Sequence, residues 1–366
     1  MRHFMVLVMS SDSYDLNNFT CIWANLTYDD TTLMKYVWPC SKQFIIGQIL
    51  WTYVIPVLIV LGTIGNCIVF AVLVRKNVNQ WSMSRYMSAY AVINTTILYI
   101  NCGLDWMSQV TEVTYVSNLS DWMCRVWQFV FNVILYSAGW LVVAMVIDRF
   151  LIVWSPHKAQ QICTVFISKL VLIGIFIGLI VVSVHAMWTY KLFENYGCMV
   201  DIRDDIQTKT WPIVSAALYS YIPIVIILVM TISIVFGIIH PNLNNNCPAV
   251  QEKFTHLTVA VALTYLGFSL PTIIINLIEY FCSTEWIRAY DVRLQLLLAR
   301  VVGQVLGCLN ASVSFALYFM FTPLLRRELV LILSHLKRRK PPSITELRHS
   351  NGSNTKNEEG TLVTLL

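Results

Sequence analysis

The sequence predicts an all-α membrane protein, a seven-transmembrane helix bundle with a short amphipathic helix after the seventh span. Three observations carry that prediction. The 366-residue chain is 57% hydrophobic and only 12% charged, with a mean hydropathy of +0.64, far from the balance of a water-soluble domain. Apolar stretches long enough to cross a bilayer recur near residues 46–74, 83–107, 123–153, 166–190, 211–239, 255–281 and 295–321. Lysine and arginine gather in alternate flanks, at Arg75, Lys76 and Arg85, at Arg149, Lys158 and Lys169, at Lys253, and at Arg326, Arg327 and 337–340.

The basic flanks fix an expected orientation. They are cytoplasmic by the positive-inside rule, so residues 1–45 form an extracellular segment and residues 46–321 the helix domain. Residues 322–336 form the amphipathic helix on the membrane surface, and residues 337–366 a polar cytoplasmic tail without fixed structure. The expected location is the plasma membrane. The net charge of +5 is a topology signal; the basic residues flank spans, and no soluble basic domain presents them to nucleic acid.

The N-terminal segment carries two glycosylation sequons, at Asn18 and Asn25. Phe4 to Met9 is too short for a signal peptide, so the first span is expected to direct insertion. That span places Asn66 among apolar residues, where it needs a partner on a neighbouring helix. The second span has Asn94 at similar depth and Asp105 near its outer end, within reach of water or a ligand. Asn94-Thr95-Thr96 fits a sequon but lies in the membrane; Asn118-Leu119-Ser120 lies in the outer loop close to the bilayer.

The third span is the organising element. Cys124 and Arg149 are about 37 Å apart along a helix, so one end meets each side of the membrane. Gln128, Phe131, Asn132 and Leu135 fall on one face of its outer half at helical spacing. This mixture suits either a ligand cavity or an interhelical hydrogen-bonding patch. At the inner end Asp148-Arg149-Phe150 is expected to face water, where the pair is a candidate switch or an interfacial anchor.

A disulfide between Cys124 and Cys198 would tie the loop before the fifth span over the mouth of the third helix. Cys21, Cys40 and Cys282 also fall outside, and sequence does not choose a pairing among them. Cys67, Cys102 and Cys308 lie within spans and are read as small packing residues. Solitary His185 and His256 and the lack of a CxxC pair give no metal or cofactor site. Pro223 and Pro271 interrupt the fifth and sixth spans, and Pro271 offers a point about which the inner half of the sixth helix could swing. The seventh span carries Arg300 and Gln304 near its outer end, then Asn310, Ser312, Ser314 and Tyr318.

Together these residues resemble the rhodopsin-like family of G-protein-coupled receptors, over roughly residues 46–336. Gly65-Asn66 with Val69 is similar to its first-helix signature, and Cys124 and Cys198 to its extracellular disulfide. Asp148-Arg149-Phe150 with Pro156 resembles its Asp-Arg-Tyr motif, Pro223 and Pro271 its helix prolines, and Tyr318 its seventh-helix tyrosine. The departures mark a divergent branch. Asn94 stands where the family carries a sodium-binding aspartate, Ser269 in place of a tryptophan, Tyr265 in place of a phenylalanine, and Thr231 in place of a fifth-helix tyrosine. Ser314 to Tyr318 replaces the Asn-Pro-x-x-Tyr motif.

The resemblance implies a receptor without catalysis, signalling to a heterotrimeric G protein through Asp148, Arg149, Phe150 and Tyr318. Phe131 stands where monoamine receptors carry an aspartate, and Cys308 where opsins carry the retinal lysine, which disfavours both ligand types. Asp105, Gln128, Phe131, Asn132, Asn276, Glu279, Arg300 and Gln304 then form the expected ligand site, a mixture suited to a peptide. The overall look is similar to invertebrate neuropeptide receptors of the FMRFamide type. Expected partners are the extracellular peptide, the G protein, membrane lipid, arrestin, and a PDZ protein at Thr364-Leu365-Leu366. The rival reading is a receptor for a non-peptide ligand that binds without coupling or couples atypically. A transporter lacks its inverted repeats and midplane charges here, and an intramembrane enzyme its converging nucleophile and base.

Overall fold

The computed structural model describes residues 41–111, 114–193, 197–201, 214–240, 249–281 and 290–338. Asn18, Asn25, Cys21, Cys40, Cys282, the 241–248 loop, the side chain of Glu279 and the tail from residue 339 lie outside the described residues. Among the described residues seven long helices form the bundle: α1 (Lys42–Leu73), α2 (residues 82–111), α3 (Asp121–Trp154), α4 (Val165–Thr189), α5 (Val214–Ile239), α6 (Ala249–Phe281) and α7 (Tyr290–Phe321). They close as a ring in which α1 packs on α2 and α7, α6 on α5 and α7, and α3 touches α2, α4, α5 and α6. The helix α8 (Pro323–Arg338) follows the seventh.

Six of the seven are long and apolar enough to cross a membrane. The exception is α2, which is rich in Ser, Thr, Asn and Tyr and buried among its neighbours. Several of its hydroxyls are satisfied inside the helix: Ser88 donates to Ser84 O at 2.7 Å, Thr95 to Ala91 O and Thr96 to Val92 O at 2.9 Å. Such back-bonding lets a polar helix sit in an apolar surrounding without orphan groups.

Burial separates the central helix from the peripheral ones. In the most apolar stretch of α3, 56% is buried, against 11% for α4. On α4, Phe166, Leu170, Ile173, Ile177, Val181 and Val184 are exposed at helical spacing. That stripe belongs against hydrocarbon.

Local chemistry sets the helix ends and the irregular turns. Ser41, Ser120 and Thr164 cap α1, α3 and α4 through their side-chain oxygens. Wider π-turns occupy Leu50–Val54, Leu98–Gly103 and Ala217–Tyr221. Two of them precede Pro56 and Pro223, whose missing N–H and bulky ring disturb the ordinary ladder. Pro56 offers no N–H to Thr52 O four residues back, and the Trp106 indole donates to that carbonyl at 3.2 Å. Pro271 sits inside α6 with helix on both sides.

The only strands among the described residues, β1 (Tyr190–Phe193) and β2 (Gly197–Val200), form an antiparallel hairpin that the all-α reading did not contain. Gly197, with φ 71°, supplies the left-handed conformation at the start of β2.

Candidate functional site

At one end of the bundle the hairpin is fastened to the start of α3. Cys124 and Cys198 form a disulfide with Cα atoms 5.4 Å apart. Asn118 Oδ1 accepts the Cys198 N–H at 3.1 Å, and Asp121 Oδ1 accepts the Leu192 N–H at 2.9 Å. Arg125 pairs with Asp121 at 2.8 Å and donates to Met187 O at 3.0 Å. One covalent and two polar ties thus hold this loop against the mouth of α3, and Arg125 adds a tie from α3 to the end of α4.

Beneath the hairpin the expected ligand-facing residues fall into two groups. On α3, Asn132 Oδ1 accepts from Gln128 Nε2 at 3.1 Å and from the Tyr136 hydroxyl at 2.7 Å. Tyr136 stacks on Tyr219 of α5, and Tyr190 of β1 is hydrogen-bonded to Gln128. Asn132 is buried, Phe131 half-buried, and Leu135 exposed, so the face read from the sequence is split. Between α2 and α7, Gln304 Nε2 donates to Asp105 Oδ2 at 3.1 Å. Asp105 is buried, so of the two partners read from the sequence, water or a ligand, it does not face bulk water. Asn276 and Arg300 are half-buried. The three tyrosines escaped the sequence reading because each is an ordinary core residue until α3, α5 and the hairpin meet.

The cysteines within spans require a correction. Cys102 and Cys308 are bonded to each other, with Cα atoms 6.7 Å apart, and are not isolated packing residues. Antiparallel packing of α2 on α7 brings together thiols 206 residues apart, which no local pattern announces. Cys67 and Cys163 are free.

The mid-bundle polar residues find partners on other helices, as Asn66 was expected to. Asn66 Nδ2 donates to Ala311 O and Asn94 Nδ2 to Ser314 Oγ, both at 3.0 Å, while Tyr90 is hydrogen-bonded to Asn94 and Asn310. Asn94 is therefore a donor to α7 at the position where resemblance suggested a cation-binding aspartate.

At the opposite end Arg149 is 1% exposed and Asp148 5%, which corrects the expectation that this pair faces water. Arg149 Nε donates to Asp148 Oδ2 at 3.1 Å, and Nη2 reaches the same oxygen. Nη1 donates to Gln251 Oε1, in the first turn of α6, at 2.6 Å. A buried charge is tolerable only when paired and hydrogen-bonded, and both conditions hold. The Cys163 thiol contacts Asp148 O at 3.6 Å, and burial, with Asp148 beside it, pushes that thiol up to about 12. Tyr318 and Thr231 are also buried, and neither hydroxyl has a hydrogen-bond partner. Phe150 lies 6.3 Å from Trp154, whose indole stacks on Phe236 and donates to Ser233 O at 3.0 Å, joining α3 to α5.

Residues 65–310 match the family model of the 7 transmembrane receptor (rhodopsin family). The chain belongs to the rhodopsin family of seven-transmembrane receptors. Within that family it is 24% identical over 327 residues to the human chemokine XC receptor 1, covering 86% of this chain and 91% of that one. It is also 24% identical over 151 residues to galanin receptor 2b of Danio rerio, covering 38% of this chain and 37% of that one. It is a multi-pass membrane receptor and not an enzyme. For a rhodopsin-family receptor, the two ends have separate chemistries: a disulfide-fastened cap over amide, carboxylate and phenol groups, and a buried arginine shared by two helices.

Proposed function

We propose that this receptor binds an extracellular peptide, a neuropeptide by its chemistry, and activates a heterotrimeric G protein through rearrangement around Arg149. The hairpin end faces the outside, the N-terminus with it, and the Arg149 end and the tail face the cytoplasm. Asp105, Gln128, Phe131, Asn132, Asn276, Glu279, Arg300 and Gln304 are the proposed peptide-facing set, with Tyr136, Tyr190 and Tyr219 behind them. Amides, a buried carboxylate and phenols suit backbone amides and a charged terminus. The resemblance to receptors named for chemokine and galanin ligands supports the peptide class.

The observation that carries the coupling half is the Arg149–Gln251 hydrogen bond. It ties α3 to the first turn of α6, so a ligand that binds better when α6 has swung outward shifts the equilibrium by that difference in affinity. Asp148, Phe150 and Tyr318 complete the proposed switch; lipid contacts α8, and arrestin and a PDZ protein take the tail.

The test is a second-messenger screen of a neuropeptide library on cells expressing the full chain, beside Arg149→Ala. The expected result is a peptide response that Arg149→Ala abolishes while surface binding persists. Loss of binding at normal surface expression would remove the assigned role. A second reading, binding without coupling, draws support from Thr231 and Tyr318, whose buried hydroxyls meet no partner. It would be favoured by a labelled peptide that binds with no second-messenger response.

A further inference from the structure

We propose that the Cys102–Cys308 disulfide is a positioning clamp that holds Asp105 of α2 against Gln304 of α7, presenting a carboxylate and a primary amide at fixed separation. Both cysteines are completely buried. Asp105 follows Cys102 by three residues and Gln304 precedes Cys308 by four, so each lies one turn away on the same face of its own helix. Because the helices run antiparallel, both displacements point toward the hairpin end. The Asp105–Gln304 hydrogen bond at 3.1 Å is thus the next rung above the disulfide. A third rung, Asn94 to Ser314 at 3.0 Å, lies below it. The three rungs keep one register between α2 and α7, and only the middle one is covalent.

The π-turn Leu98–Gly103 is part of the device. A wider turn rotates everything beyond it relative to a regular helix, and here it contains Cys102 and ends two residues before Asp105. A rotated turn held only by hydrogen bonds could exchange them with an incoming amide or cation. A covalent bond at its centre keeps the carboxylate and amide facing one another before any ligand arrives, which reduces the ordering cost of binding. That pair fits the amide groups or the cationic end of a peptide. The bond forms during folding: two thiols lose two protons and two electrons, and a protein disulfide of the secretory lumen accepts the electrons to become a dithiol.

The role in ligand binding rests on the proposed peptide receptor, but the test needs no ligand, so the two readings fail separately. Full-length receptor is extracted without reductant, its free thiols are blocked with N-ethylmaleimide under denaturing conditions, and its peptides are mapped by mass. The expected result is a linked pair containing Cys102 and Cys308; maleimide adducts on both would overturn the proposal. In a second measurement Asp105→Cys and Gln304→Cys are introduced together, and their bridging by a short bis-methanethiosulfonate reagent is timed. The pair is compared in the otherwise unaltered chain and with Cys102→Ala and Cys308→Ala added. Bridging should slow roughly tenfold without the clamp, as the effective concentration of the two sites falls. Equal rates in two receptors that reach the surface would leave the disulfide a mere packing bond and end the proposal. Should the four-site variant fail to reach the surface, the peptide map and the same timing with the conservative Cys102→Val and Cys308→Ala pair decide it.

Discussion

Arg149 donates from Nη1 to Gln251 and from Nε and Nη2 to Asp148, so one guanidinium holds both its own helix and the start of α6. The second tie is the weaker, because Gln251 is neutral. A hydrogen bond to a charged group is worth about 1.5–3 kcal/mol, enough to bias a two-state equilibrium by roughly tenfold to a hundredfold.

Gln251→Ala should therefore raise signalling without ligand, by several-fold or more, and Gln251→Glu should lower it by adding a full opposite charge. Ligand-free second-messenger output, normalised to surface receptor, reads both. Identical basal output in the two variants and the parent would show that α6 is held elsewhere.

A second expectation concerns the three sequons on the hairpin side, Asn18, Asn25 and Asn118, by the proposed orientation. Asn118 Oδ1 is engaged by the Cys198 N–H and by the Ser117 hydroxyl, and Ser120, the third sequon residue, caps α3. A glycan joined at Nδ2 would leave Oδ1 an acceptor, but its bulk would crowd the hairpin that Oδ1 holds against the loop. Asn118→Gln should thus leave the glycosidase-sensitive mass unchanged, whereas Asn18→Gln and Asn25→Gln should each reduce it. A mass decrease in Asn118→Gln would mean that the loop forms differently.

How much of this was legible beforehand depends on the distance over which the information acts. Helix positions and order were legible because hydrophobic runs and their breaks are local, and even polar α2 was bracketed by its flanks. Asn66 was read as inward because an amide in hydrocarbon must find a partner nearby. Gln251, Tyr136 and Tyr219 were not legible, since their roles exist only where α3 meets α5 and α6. Cys102 and Cys308 failed for the same reason, being 206 residues apart. Arg149 was found by its motif but misplaced to water, because a motif does not say how deeply the neighbouring helices enclose it.

Cys163 offers a chemical test of the Arg149 end. Its thiol is pushed up to about 12 by burial, with Asp148 adding to the effect, so it stays protonated and neutral at ordinary pH. Thiolate is the reactive form, and at pH 8 its fraction is about a thousandfold below that of an ordinary thiol. Alkylation of folded receptor by iodoacetamide should therefore spare Cys163 at pH 8 and accelerate about tenfold per pH unit above it, as followed by peptide mass. Rapid modification at pH 8 would place the thiol away from Asp148.

The last prediction concerns Tyr265, which stands where the family's resemblance calls for a phenylalanine. A Cβ added at Gly139 of α3 would lie 2.6 Å from the Tyr265 hydroxyl oxygen but 3.4 Å from the ring carbon bearing it. Gly139 therefore makes room for the hydroxyl specifically, and that hydroxyl is hydrogen-bonded to Ser269 on the same helix. Gly139→Ala should destabilise the receptor by about 1–3 kcal/mol, the usual cost of overpacking a rigid core. Tyr265→Phe alone should cost about 1 kcal/mol for the lost hydrogen bond. Combined, they should cost less than their sum, because removing the hydroxyl also removes the clash. Thermal unfolding of the four receptors in one detergent measures the cycle. Strict additivity would mean that α3 and α6 do not approach at this point.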